Sequence, residues 1–236
     1  MQVTTIGVDL AKNVFQVHGI TATEEVVFNK PLRRAQFLPF FAKLKPCLIG
    51  MESCSSAHHW ARELTTLGHE VRLLPPMYVK PYVKRGKSDA IDAEAICEAV
   101  TRPTMRFVAI KTVGQQALLS LHRARDLLVR QRTQLINGLR GLVAAFVIFI
   151  PRGLARVIGF AEDIVLGEVL DLPDIANEVI RNLSEQLMAL HQRIRWYEER
   201  LKQVAKEDAR VRLLRTIPGV GAVTASAIIA LSLIHI

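Results

Sequence analysis

The chain has 236 residues, half of them hydrophobic, enough apolar material for one large domain or two modest ones, which excludes a disordered or low-complexity chain. It carries 31 Lys and Arg against 22 Asp and Glu, a net charge of +9. That balance favours a polyanionic partner, nucleic acid first, although a solvated basic surface gives the same count.

The chain enters a strand pattern at once, with no charged region ahead of an apolar run, which argues against a secretory signal. Residues 3–9 (VTTIGVD), 14–20 (VFQVHGI) and 25–30 (EVVFNK) read as three strands joined by short links, an antiparallel meander. Phe37, Leu38, Phe40, Phe41 and Leu44 suggest a helix over 33–44. The apolar run 47–52 (CLIGME) reads as a buried strand, 56–67 as a helix closed by Gly68, and 70–74 (EVRLL) as a strand stopped by Pro75 and Pro76. Three strands followed by helix, strand, helix, strand imply an α/β fold with a mixed sheet and helices on its faces.

After a basic loop (KPYVKRGK, 80–87) a helix is expected to begin at Ser88 or Asp89, and from 113 onward nearly all of the chain reads as helical. Within 115–145, Arg123, Arg125, Arg130, Arg132 and Arg140 form a basic run that fits nucleic-acid contact or a solvated face equally well. Between 175 and 206, Ile180, Leu183, Leu187, Leu190, Ile194, Tyr197 and Leu201 recur at steps of three, four and seven, a coiled-coil-like seam. Arg193, Arg195, Glu198, Glu199 and Arg200 are expected to face solvent. Pro151, Gly153, Gly159, Gly167 and Pro173 separate the two helical stretches. The predicted organisation is 1–111 for the α/β domain, 112–210 for the helical region and 211–236 for the start of a further helical domain.

Two apolar stretches bear on membranes. Leu142 to Ile150 is too short to span a bilayer; Ile217 to Ile236 is long enough, but its Pro218, Gly219 and Gly221 favour a buried helix. Cys47, Cys54 and Cys97 form neither a CxxC pair nor a zinc spacing and fit a reducing compartment.

Four carboxylates stand out. Asp9 ends the first strand and shares a face with Thr5 and Gly7 by the period-two rule, and Glu52 ends the next buried strand. If those strands are neighbours, the two acids converge on one cation. Asp89 and Asp92, three apart in KSDAIDAEAI, share a helix face. Plainer roles compete: Asp9 as a turn residue, Glu52 as a solvated strand end, Asp89 as a helix N-cap with Asp92 as its N3 acid. Crowded carboxylates repel unless a cation neutralises them, and their hard oxygens suit Mg²⁺ or Mn²⁺. Lys80, Lys84, Arg85 and Lys87, with Lys12 after the first strand, are placed to hold a phosphate backbone. His58 and His59 follow Glu52 closely but suit a helix start or a surface better than a metal.

GVDLAK, then ME, then KSDAIDAEAI resembles the DEDD transposases of bacterial insertion sequences, the RuvC-like recombinases of the IS110 family, over nearly the whole chain. The resemblance implies an RNase H-like fold, with Asp9, Glu52, Asp89 and Asp92 as the metal-binding catalytic tetrad. It implies cut-and-rejoin recombination of DNA in the bacterial cytoplasm, at the nucleoid, by a homo-oligomer guided by a structured RNA. RTIPGVGAVTASAIIA (215–230) resembles the opening of the family's C-terminal domain. Its PGVG turn looks like a helix-hairpin-helix element in which Gly219 and Gly221 let backbone N–H groups approach phosphate. That domain carries a serine nucleophile in the family. Ser226 and Ser232 do not match its motif, so no nucleophile is assigned and the chain reads as C-terminally truncated. A remnant that only binds DNA or structured RNA is the alternative. An actin-like ATPase or sugar kinase, suggested by GVDLAKN alone, lacks the later glycine-rich phosphate elements.

Overall fold

The computed structural model describes residues 2–84, 86 and 88–231. They form two compact units divided after Val113.

The first unit is built on a five-stranded sheet of β1 (Thr5–Leu10), β2 (Val14–Ile20), β3 (Val26–Arg33), β4 (Leu48–Glu52) and β5 (Glu70–Leu74) in the order β3-β2-β1-β4-β5. β1, β2 and β3 pair antiparallel, whereas β4 pairs parallel with β1 and with β5. This mixed α/β sheet with helices is the RNase H-like arrangement expected from the sequence. Helices α1 (Phe37–Phe41), α2 (Ala57–Thr66), α3 (Pro76–Val79) and α4 (Asp89–Val100) complete the unit.

Alternation sorts the strand side chains into two faces. Ile6, Val8, Val17, Ile49 and Met51 join Phe37, Phe41, Trp60, Ala61 and Leu64 of α1 and α2 in one core. The opposite face is left to α4, whose Ala95, Ile96, Ala99 and Val100 form a second cluster with Leu74 and Val79.

Two elements differ from expectation. The helix over 33–44 contracts to a 3-10 turn at Arg34–Gln36 and the short α1. Pro39 has no N–H to offer the carbonyl of residue 35, and Pro46 discourages helix ahead of it. β3 runs three residues beyond 30 because its pairing with β2 continues to Val14↔Arg33, and an edge strand tolerates Pro31.

The second unit contains α5 (Val113–Ala144), α6 (Leu154–Leu166), α7 (Asp174–Glu207), α8 (Ala209–Leu214) and α9 (Ala222–Leu231). Leu139 and Val143 of α5 meet Val157, Ala161 and Ile164 of α6 and Ile180 and Leu187 of α7 in one core. Ala205, Val211, Leu214, Ala225 and Ile229 form another. Ile180, Leu187, Leu190, Ile194 and Leu201 of the predicted seam are buried, with Leu183 and Tyr197 half-buried.

Glu198, expected to face solvent, is half-buried and also takes a 2.5 Å hydrogen bond from Arg125 of α5. Gly159 does not break the chain. It lies inside α6 with open space around it, where a helical glycine costs about 1 kcal/mol and the buried Val157, Ala161 and Ile164 offset it. Gly153 and Gly167, at φ +108° and +117°, are the residues that bound α6. Of the apolar tail, Ala222–Leu231 is helical with Ala225, Ser226, Ile229 and Ala230 buried, and 232–236 lie outside the described residues. Among the described residues, no helix is long and apolar enough to cross a membrane.

Candidate functional site

The parallel pairing of β1 with β4 fixes the first two acids. Its register ends at Val8↔Met51, so Asp9 and Glu52 follow as the next residue on each of two adjacent strands. Alternation puts both on the face that carries Gly7 and Gly50. Asp9 lies within β1 rather than in the turn after it, and its carboxylate accepts the Leu10 backbone N–H.

The other two acids arrive on α4. Its N-cap is Ser88, whose hydroxyl accepts the Ile91 N–H at 3.4 Å, so Asp89 and Asp92 occupy the first turn without serving as the cap. Two strand glycines bring this helix close. A Cβ on Gly7 would strike the Ala93 carbonyl and the Cys97 backbone; one on Gly50 would lie 2.8 Å from Val100 Cβ and 3.2 Å from Ile96 Cγ2. Residues 93, 96, 97 and 100 therefore rest on the sheet, and the preceding turn of the same face carries residues 89 and 92 past the end of β1.

The electrostatics record this convergence. Burial first, then the charges of Asp89 and Asp92, push the Asp9 carboxyl up to about 6 from its ordinary 3.8. Burial, then Asp9 and Asp92, also raise Glu52. Among the described residues, no three His, Cys, Asp or Glu side chains stand as a ready-made metal cage. The charges of Asp89 and Asp92 reach Asp9, and those of Asp9 and Asp92 reach Glu52.

Asp9 therefore opposes folding near neutrality. From about pH 4 to pH 6 the folded chain holds a proton that the unfolded chain has released, so stability falls as pH rises through that window. Urea unfolding of the parent and of Asp9→Asn at pH 4 and pH 7 measures it. The parent is expected to lose roughly 1–2 kcal/mol relative to the variant across the interval, a figure already reduced for solvent screening of a half-buried group. An unchanged difference would refute the coupling.

The other predicted site residues are spread out. Lys12 and Lys80 are exposed, and Arg85 and Lys87 lie outside the described residues. Lys84 bonds Glu94 of α4 at 2.5 Å, and this partner raises its pKa. Gly219 has φ +84°, and exposed Gly221 directly precedes α9. His58 is buried, its Nδ1 accepting the Lys111 N–H at 3.2 Å, while His59 is exposed. In the basic run, Arg125 binds Glu198, Arg130 pairs with Asp126 at 3.0 Å, Arg132 lies 3.2 Å from His191 Nδ1, and Arg140 donates to the Pro151 carbonyl at 2.8 Å. Those arginines are committed within the second unit.

Gly7 and Gly50 were not singled out from the sequence as site-building residues, although a glycine inside an apolar strand is a signal for close backbone approach, and both give it.

Comparisons with known proteins bear on this geometry. The family model for DEDD transposases of IS110 type, described as "Transposase", matches residues 6–148, which include all four acids. The chain is 48% identical over 231 residues to the "Probable family 20 transposase" of Pseudomonas aeruginosa, covering 98% of this chain and 68% of that protein. It is 41% identical over 224 residues to the transposase for insertion sequence element IS1328 of Yersinia enterocolitica, covering 95% and 66%. It is 40% identical over 225 residues to the transposase for insertion sequence element IS1111A of Coxiella burnetii, covering 95% and 62%. The chain thus spans about three fifths to two thirds of these relatives' length. With an RNase H-like sheet, four converging carboxylates and a family match over most of its length, the chain belongs to the IS110-type DEDD transposases.

Proposed function

We propose that the chain supplies the RuvC-like catalytic half of a transposase that cuts and rejoins the DNA of an insertion sequence. The observation that carries this reading is the convergence of Asp9 and Glu52, at the ends of adjacent parallel strands, with Asp89 and Asp92 on the first turn of α4. The donor set fits a hard divalent cation, Mg²⁺ or Mn²⁺: it is all oxygen, and burial, then like charge, raises two of its members. Asp9, Glu52, Asp89 and Asp92 would hold the ion, which when bound would polarise a phosphodiester and stabilise a leaving oxygen. The chain's own contribution is positional and electrostatic. Without a cation, burial and the charges of Asp89 and Asp92 hold the Asp9 carboxyl up to about 6, so binding a cation near neutrality would displace its proton. Lys12, Lys80, Arg85 and Lys87 hold the phosphate backbone, and Lys84 joins them when it leaves Glu94.

In the same reading the three segments 1–111, 112–210 and 211–236 are functional domains. The long helices associate as a coiled coil in a homo-oligomer, the Gly219 to Gly221 turn touches phosphate, a structured RNA guides target choice, and the protein works at the nucleoid. A second reading rests on the net charge of +9 alone: the chain grips nucleic acid without carrying out strand transfer.

Two titrations of this chain test the common ground. Mn²⁺ binding followed by electron paramagnetic resonance is expected to saturate and to weaken at least tenfold in Asp9→Asn. Affinity for a DNA duplex is expected to fall roughly a hundredfold between 50 and 200 mM salt, as for about four phosphate contacts. Loss of the Mn²⁺ difference would sink the carboxylate assignment; salt-independent affinity would sink both readings.

A further inference from the structure

We infer that Asn29 and Gln16 are positioning residues for the carboxylate site, a directed pair of side-chain amides that clamps the first turn of α4 over the end of β1. The inference rests on the reading of Asp89 and Asp92 as metal-binding acids.

Register places the pair. Gln16 of β2 is the direct cross-strand partner of Asp9, and Asn29 of β3 is the partner of His18. Since His18 and Gln16 are two residues apart, Gln16, Asn29 and Asp9 share the face on which α4 lies. The Gln16 Nε2 donates to Asn29 Oδ1 at 2.6 Å, and the Asn29 Nδ2 donates to the Ala90 carbonyl at 3.4 Å. Ala90 lies between Asp89 and Asp92, so the bond falls on the turn that carries both acids. The chain has one direction only. Turning the Asn29 amide over would set NH₂ against NH₂ and oxygen against the Ala90 oxygen, losing both bonds at once.

Packing does not call for these side chains. Asn29 is exposed, Gln16 is half-buried, and asparagine is disfavoured in strands. What the amides add is a tether between the edge of the sheet and the α4 turn, ahead of the contacts at Gly7 and Gly50 that hold the rest of the helix. Such a tether opposes the electrostatic tendency of Asp89 and Asp92 to move away from Asp9.

The test compares the parent chain with Asn29→Leu and Gln16→Leu by hydrogen exchange and Mn²⁺ titration. Each variant is expected to lose roughly three- to tenfold in protection at the Ile91 to Ala93 amides, the scale of one net hydrogen bond, and to weaken Mn²⁺ by a similar factor. Amides of β1 and of the α4 C-terminal turns should keep parent protection, which separates a local tether from general destabilisation. Parent-like protection at Ile91 to Ala93 with a parent-like Mn²⁺ constant overturns the inference, as does loss spread evenly over the sheet. Asp9→Asn, run alongside, keeps the two claims apart. If it leaves Mn²⁺ binding unchanged, the metal reading has failed. If it abolishes binding while Asn29→Leu does nothing, only the tether has.

Discussion

A single methyl group at position 7 is expected to disable the first unit. In Gly7→Ala the new Cβ points into backbone, the Ala93 carbonyl and the Cys97 amide and Cα, none of which can rotate aside as a side-chain end would. The helix must lift from the sheet, uncovering Ile96, Ala99 and Val100, all fully buried. Overpacking of this kind costs about 3 kcal/mol or more, and Gly7→Val is expected to leave no folded first unit. Thermal unfolding of Gly7→Ala should drop by about 10 °C or more. The Mn²⁺ constant of the molecules still folded should weaken as well, because Asp89 and Asp92 ride on the displaced helix. Gly50→Ala is the graded control. Its nearest obstacle, Val100 Cβ at 2.8 Å, is fixed to the helix and must shift with it, but Val100 Cγ2 and Ile96 Cγ2 at 3.0 and 3.2 Å can give, and no backbone carbonyl or amide stands in the way, so its loss should be smaller than at Gly7. Equal, negligible losses at both positions would remove close approach as the reason for these glycines.

The second large effect is chemical. In a chain extended to the full length of its relatives, Asp9→Asn or Asp92→Asn is expected to cut strand transfer by about a thousandfold or more, roughly 4 kcal/mol of transition-state stabilisation. Duplex affinity measured in the same preparations should stay within about threefold of the parent, since the basic residues proposed to hold phosphate are untouched. Glu94→Gln removes an acid from the same helix, but one that faces Lys84. It should leave transfer near the parent level. Transfer that survived Asp9→Asn would dismiss the tetrad, whereas equal losses in all three variants would point to a damaged helix rather than to lost ligands.

The contrast between residues 9 and 29 explains what could be read without coordinates. Asp9, Glu52 and the pair Asp89 and Asp92 were legible because each interrupts a strong local pattern: a charge closing an apolar strand, or two charges at helical spacing. The succession of elements implied a mixed sheet but left the adjacency of the two acid-bearing strands conditional; the parallel pairing of β1 with β4 makes Asp9 and Glu52 neighbours. Asn29 sits in an ordinary polar stretch, and its role depends on Ala90, 61 residues further on, which no local period reports. The Arg125 partner of Glu198 escaped notice for the same reason: the place of Glu198 between buried positions of α7 marks a polar face but says nothing of another helix. The capping question at Ser88 and Asp89 could be narrowed but not decided by sequence, since both residue types cap well. The observed bond from the Ile91 N–H to the Ser88 hydroxyl decides it.

β3 has a consequence outside catalysis. As the terminal strand of the sheet it pairs, among the described residues, with β2 alone, and an unpaired strand edge is a template for an extended peptide, the usual route to ordered aggregation. Its sequence resists this. Pro31 has no N–H to give to an incoming strand, Lys30 adds a charge that a stacked copy would repeat, and the irregular register at Gly19 and Ile20 disturbs the ladder near its start. A Pro31→Val, Lys30→Val chain would fold much as the parent does. It would be expected to precipitate during refolding at concentrations the parent withstands.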